Sequence, residues 1–153
     1  MDNKVDHKFV RVSDVPNGMA DLAKFVKSLE NGGKQFRYFQ KRPIQIVKSH
    51  EITLLLKTKG DTVAYGHLEK EDDRLWLGIA VADACVGQGW GKKMMRELIA
   101  EANALSVDKI SLRVDIDNEG GIRLYKNMGF EIIDEEERGT SFLMERRIES
   151  DNS

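Results

Sequence analysis

The chain has 153 residues and a mass of 17.4 kDa, enough for one compact domain and too little for two ordinary ones. It is 41% hydrophobic and 33% charged, with 13 glycines and 2 prolines, which excludes a largely disordered chain, a collagen-like repeat and a disulfide-stapled miniature. Twenty-four basic residues against 26 acidic ones leave a formal net charge of -2, so no bulk positive field draws the protein to nucleic acid or to an anionic membrane.

Residues 9–12 read as a short first strand, stopped by Ser13, Asp14 and the turn-prone Pro16-Asn17-Gly18. Met19, Leu22, Ala23, Phe25, Val26 and Leu29 then recur at helical spacing, and Asn31-Gly32-Gly33 ends that helix. An aromatic segment, Phe36-Arg37-Tyr38-Phe39, precedes Pro43. Three strands follow, predicted over 52–56, 62–69 and 75–81, with a hairpin turn at Lys59-Gly60-Asp61 and another turn over 70–74. In the middle strand Val63, Tyr65, His67 and Glu69 share one face by the period of two. A helix is predicted from Gly87 to about Leu105, with Trp90, Met94, Met95, Leu98, Ile99 and Ala102 forming its apolar stripe.

Ile110, Leu112 and Val114 alternate as a buried strand, and a short helix runs from Asn118 to a stop at Gly129. Residues 130–133 and 141–144 are the last strand candidates, with Glu135-Glu136-Glu137 between them as a solvated turn. Three consecutive strands imply antiparallel pairing, and the strand-helix-strand that follows implies a parallel crossover. The expected fold is therefore a single α/β (α+β) domain over 1–149, with a mobile polar tail over 150–153. The lone Cys85 cannot form an internal disulfide, no Cys/His cluster has zinc-ligand spacing, and no metal is expected. The N-terminus lacks a secretory apolar core and no apolar run approaches the roughly 20 residues of a membrane span, so a soluble, cytoplasmic protein is expected.

Val86-Gly87-Gln88-Gly89-Trp90-Gly91-Lys92 is the most informative segment. Its alternate glycines bare backbone N–H groups at the start of a helix, where unpaired amides and the helix dipole favour an anion. Taken alone, the pattern fits either a sharp strand-to-helix turn or a phosphate cradle. It lacks the spacing of a P-loop and of a dinucleotide fingerprint, although Asp115 and Asp117 keep a nucleotide-binding alternative open.

A second motif, Asn118-Glu119-Gly120-Gly121-Ile122-Arg123-Leu124-Tyr125-Lys126-Asn127-Met128-Gly129-Phe130, follows the next strand at once. Together the two segments resemble the GNAT superfamily of acyl-CoA-dependent N-acetyltransferases, which carry a Q/R-x-x-G-x-G/A turn and a downstream N-x-x-A-x-x-L-Y-x-x-x-G-F segment. The resemblance covers roughly residues 50 to 133. Val86 stands at the Gln/Arg position, which leaves phosphate binding to backbone groups, and Gly121 replaces the alanine-type residue.

The resemblance implies a mixed, mostly antiparallel sheet of about six or seven strands, about four flanking helices and a central strand pair splayed near Val81 and Val114. It implies acetyl-CoA as acyl donor, with its pyrophosphate on the N–H groups of Gln88, Gly89, Trp90, Gly91 and Lys92, and with Val86 and Gly87 also among the cofactor-binding residues. The pantetheine arm would lie along Ile79, Ala80 and Val81, with Asn118 and Tyr125 beside it. Tyr125 would serve the departing thiolate. His67 would be the general base, with Glu69 and Asp115 as runners-up and a water chain as alternative. Asn118 also suits an N-cap role.

The acceptor pocket is expected from Phe36, Arg37, Tyr38, Phe39, Tyr65, His67, Trp76 and Asp115. Aromatic rings beside Arg37 suit a ring bearing a phosphate or carboxylate. The expected acceptor is the primary amine of a small molecule, an amino-sugar or nucleotide-linked sugar first. A protein N-terminus or lysine and a non-catalytic acyl-CoA sensor are alternatives. A homodimer is compatible with the family. No nucleic-acid or membrane partner is expected.

Overall fold

A computed structural model describes residues 6–29, 38–40 and 42–148. In chain order the elements are β1 (Lys8–Arg11), α1 (Gly18–Ser28), β2 (Ile52–Thr58), β3 (Asp61–Glu71), β4 (Arg74–Val81), α2 (Trp90–Asn103), β5 (Lys109–Asp115), α3 (Glu119–Asn127), β6 (Glu131–Glu136) and β7 (Ser141–Arg147). Short 3₁₀ segments occupy Val12–Asp14, Tyr38–Gln40, Ile44–Ser49 and Asp83–Cys85. The strands form one seven-stranded sheet in the order β1-β2-β3-β4-β5-β7-β6. Only β4 and β5 run parallel. The mixed, mostly antiparallel sheet expected from the sequence is therefore present.

Several boundaries differ from the sequence expectations, each for a local reason. The long helix begins at Trp90 rather than Gly87, because Gly87 and Gly89 both take left-handed φ values of 86° and 88°. Its 14 residues span roughly 21 Å at the standard rise. Glu135 and Glu136 belong to β6, and the turn begins at Glu137, whose φ is 52°. Carboxylates tolerate that strand because β6 is the sheet edge and its residues are largely exposed. At the first hairpin, Lys59 and Gly60 both have positive φ, the geometry that a two-residue turn needs to match strand twist.

The sheet separates two apolar layers. On one face α2 buries Met94, Met95, Leu98 and Ala102 completely against Leu54, Leu56, Leu68, Leu75 and Ile110. Each of the larger side chains is worth about 1.5–3 kcal/mol of burial. Gly66 makes this close approach possible, since a Cβ there would sit 2.7 Å from Met94 Sδ. On the other face α1 packs Leu22 and Phe25 over Leu55, Tyr65 and Ala80, with Val47 from the 3₁₀ segment.

One pairing decides where ligands can enter. β4 and β5 are joined only at Arg74/Lys109, Leu75/Ile110 and Trp76/Ser111. From Leu77 to Val81 on one strand and Leu112 to Asp115 on the other, no register partner links them, so the parallel pair opens as a V.

Candidate active site

The glycine turn lies at the open end of the V. Gly89 is the N-cap of α2 and offers no side chain to the first amides, which leaves them directed outward. A Cβ on Gly87 or Gly89 would meet nothing within 4 Å, so the space beside the turn is open. Gly91 is different: a Cβ would stand 3.4 Å from Leu124 and 3.5 Å from Val81, close enough to set the spacing of α2 against β4 and α3. A cavity of about 430 Å³ runs from this turn along Ile79, Ala80 and Val81 to Asn118, Gly121 and Tyr125. Bare helical amides, an unpaired strand edge and a slot between them fit a diphosphate followed by a chain of amides.

A second cavity of about 890 Å³ lies inside the V and is lined by polar and aromatic groups, among them Tyr38, Arg42, His67, Glu69, Trp76, Arg113 and Asp115. Ile79, Asn118 and Tyr125 line both cavities. Tyr125 thus stands at their junction. It is 8% exposed and meets Phe130 edge-on, and burial pushes its phenol up to about 12. Asn118 caps α3, accepting from Gly121 N–H at 3.0 Å, which confirms its N-cap geometry.

The floor of the larger cavity is a chain of hydrogen bonds. Tyr38 Oη lies 3.1 Å from Glu69 Oε1 and 2.7 Å from His50 Nε2, and His50 Nδ1 lies 2.9 Å from Thr53 Oγ1. A carboxylate only accepts, so Tyr38 donates its single proton to Glu69. His50 Nε2–H must then donate to Tyr38, and Nδ1 accepts from the Thr53 hydroxyl, a tautomer assigned from this donor count. His67 stacks on His50 with centroids 4.2 Å apart, and its Nδ1 lies 2.6 Å from Tyr65 Oη. Gly78 leaves the space this ring occupies, since a Cβ there would come within 2.2 Å of His67 Cε1.

Burial, with Arg42 nearby, lowers His50 to about 4. Burial first, then His50 and Arg42, holds His67 well below the usual imidazole range. Both rings are therefore neutral at pH 7, and His67 is a weaker base than its ordinary value of about 6.5 implies. Burial and the neighbouring Glu69 raise the Tyr38 phenol, and burial raises that of Tyr65.

The Acetyltransferase (GNAT) family pattern matches residues 19–130, most of the chain. The chain belongs to the GNAT acetyltransferase family. It is 43% identical over 57 residues to an L-amino acid N-acetyltransferase of Escherichia coli (strain K12), a segment covering 37% of this chain and 35% of that protein. The chain thus matches about a third of the curated relative's length. Among solved structures, a GNAT acetyltransferase from Streptococcus pneumoniae superposes with a TM-score of 0.78 at 22% identity, covering 94% of this chain and 100% of that one. An acetyltransferase from Salmonella typhimurium, solved with its cofactor acetyl-CoA, gives 0.75 at 14% identity, covering 99% and 98%. The fold is the GNAT fold.

Within this GNAT domain, the residues expected at the cofactor all line the smaller cavity except Gln88, which accepts instead from the Trp90 indole at 3.0 Å. Trp90 itself is buried under the turn. Of the expected acceptor residues, Tyr38, His67, Trp76 and Asp115 line the larger cavity, as does Glu69. Tyr65 is fully buried beneath it and meets His67 through its hydroxyl. Phe39 packs on Tyr65 at 5.6 Å rather than on the cavity wall. Phe36 and Arg37 lie outside the described residues.

Four contributors were not singled out from the sequence. His50 and Thr53 complete the hydrogen-bonded floor, and Arg42 and Arg113 supply guanidinium groups, stacked 4.3 Å over Tyr38 and Trp76 respectively. Arg42 follows the aromatic segment closely in the sequence and places a guanidinium on the cavity wall.

Proposed function

We propose that this GNAT protein transfers an acetyl group from acetyl-CoA to the primary amine of a small molecule that carries an anionic group, in a ternary complex. The meeting of the two cavities at Tyr125 carries this reading. When bound, acetyl-CoA would supply an activated acyl thioester. The amides of Gly89, Trp90, Gly91 and Lys92 would hold its diphosphate, and the unpaired edge of β4 over Ile79, Ala80 and Val81 would hold its amide-bearing arm.

Tyr125 Oη stands where both ligands meet, with no hydrogen-bond partner among the described residues. Its phenol, at about 12, lies well above the ordinary thiol range, so full proton transfer to a thiolate is uphill. Tyr125 therefore acts chiefly by donating a hydrogen bond as negative charge develops on sulfur. The amine must arrive unprotonated. Glu69, on the cavity wall, and Asp115, near the junction, are the carboxylates that can accept its proton, directly or through water, and His67 is the weaker candidate.

Arg42 favours an acceptor with a carboxylate or phosphate, while Arg113, ion-paired to Glu136, stacks on Trp76 at the same wall. The partial likeness to an L-amino acid N-acetyltransferase supports an amino acid. Tyr38 and Trp76 on the cavity wall are what would favour an amino-sugar. Release of free CoA, followed across panels of amino acids, amino-sugars and peptides with free N-termini, tests the proposal. Turnover with an anionic small amine is expected. Turnover only with peptides, or CoA binding without turnover, would overturn it.

A further inference from the structure

The floor of the acceptor cavity gathers two imidazoles and a carboxylate from two separate places in the chain. His50 precedes β2, and His67 and Glu69 lie on β3. One nitrogen of each histidine and a carboxylate oxygen of Glu69 all fall within 4.8 Å of one another. His50 Nε2 and Glu69 Oε1 already converge on a single point, the Tyr38 hydroxyl, at 2.7 and 3.1 Å. From these positions, we propose that His50, His67 and Glu69 form a binding site for a divalent transition-metal ion, zinc above all, at the base of the acceptor cavity.

Two imidazoles and a carboxylate are the donor set of open zinc sites, in which three protein ligands leave a fourth position for water. His67, Glu69 and Tyr38 all line the cavity, so an ion has an aqueous route to the site and room for that water. Ligand atoms about 2.1 Å from a tetrahedral ion stand roughly 3.4 Å apart. Binding therefore draws the donor atoms inward by about an ångström, turns the two imidazoles out of their near-parallel stack, moves the His50 proton from Nε2 to Nδ1 and withdraws Tyr38 from both of its partners. The outer groups are in place: Thr53 faces the other nitrogen of His50, and Tyr65 faces Nδ1 of His67. Such contacts orient imidazole ligands, and their loss typically weakens binding about 10–100-fold. An occupied site would also engage Glu69 and so close one end of the acceptor cavity.

The test uses the full chain without CoA, so its result is independent of acetyl transfer. Titration calorimetry with Zn²⁺, and visible absorption with Co²⁺, should report one saturable ion per chain with tetrahedral ligand-field bands. Glu69→Gln and His50→Gln should each weaken binding by at least about tenfold, while a double variant of the remaining candidate donors, His7→Ala with Cys85→Ser, should leave it unchanged. Tyr38→Phe keeps all three ligands and removes the competing phenol, so it should bind zinc as tightly as wild type or tighter. Thermal unfolding of each variant checks its fold, and Glu69→Gln, at the cavity wall, carries the test if His50→Gln unfolds. Absence of saturable binding would overturn the site. So would loss of binding in the His7/Cys85 variant, or its persistence in Glu69→Gln.

Discussion

Tyr125 combines two properties that pull in different directions: it lies at the junction of the cavities, and it is buried enough to raise its phenol to about 12. Tyr125→Phe should lower kcat by about tenfold or more while leaving the Kd for CoA near wild type, as read from steady-state rates and calorimetry. The same shift has a stability consequence. The unfolded chain releases this proton near pH 10 and the folded chain near 12, so stability is intact below pH 10 and falls as pH rises toward 12. By then about 2 kcal/mol is lost at this one site, which urea unfolding of wild type and Tyr125→Phe at pH 9 and 11.5 can compare. The variant should show the shallower decline.

At the scale of elements, two glycines make opposite contributions that can be separated. Gly89 caps α2 at a φ of 88°, and Gly89→Ala should cost about 1–2 kcal/mol of stability and weaken CoA binding, because strain and a methyl group both fall on the bare amides. Gly78 on β4 has ordinary φ, but Gly78→Ala would drive a methyl into the His67 ring. That variant should lose about 1–3 kcal/mol in chemical unfolding and raise the acceptor KM while sparing CoA affinity. A Gly78→Ala enzyme with unchanged acceptor KM would remove His67 from the cavity wall.

These elements also show what a sequence discloses. The glycine turn and the run from Asn118 to Gly129 were legible because their chemistry is local: cap, helix and stop lie within a dozen residues. His50 was not, since it meets His67 only after β2 and β3 pair and place Thr53 opposite His67. Nothing in the spacing of a histidine just outside a strand foretells that stack. The start of α2 was misplaced for a related reason. Glycine propensity does not say which amide first turns helical; the left-handed φ at Gly87 and Gly89 does.

For the whole molecule, the sheet and its two apolar layers followed from alternation and helical periodicity, whereas the opening between β4 and β5 depends on where two distant strands stop pairing. Among the described residues no helix is long and apolar enough to cross a membrane. Hydrogen exchange offers a direct reading of the V. Those amides over residues 77–81 that face β5 should exchange faster than the amides of β3 in the free protein and slow when CoA is added, while amides over 74–76 should change little. Ligand at about 100 times its Kd should also raise unfolding free energy by about 2.7 kcal/mol.

That opening leaves the domain with a torn seam down the middle of its largest surface of backbone pairing. On the proposed function, a small molecule lying in the tear would mend it stitch by stitch, so donor recognition would be written largely in main-chain atoms rather than in side chains.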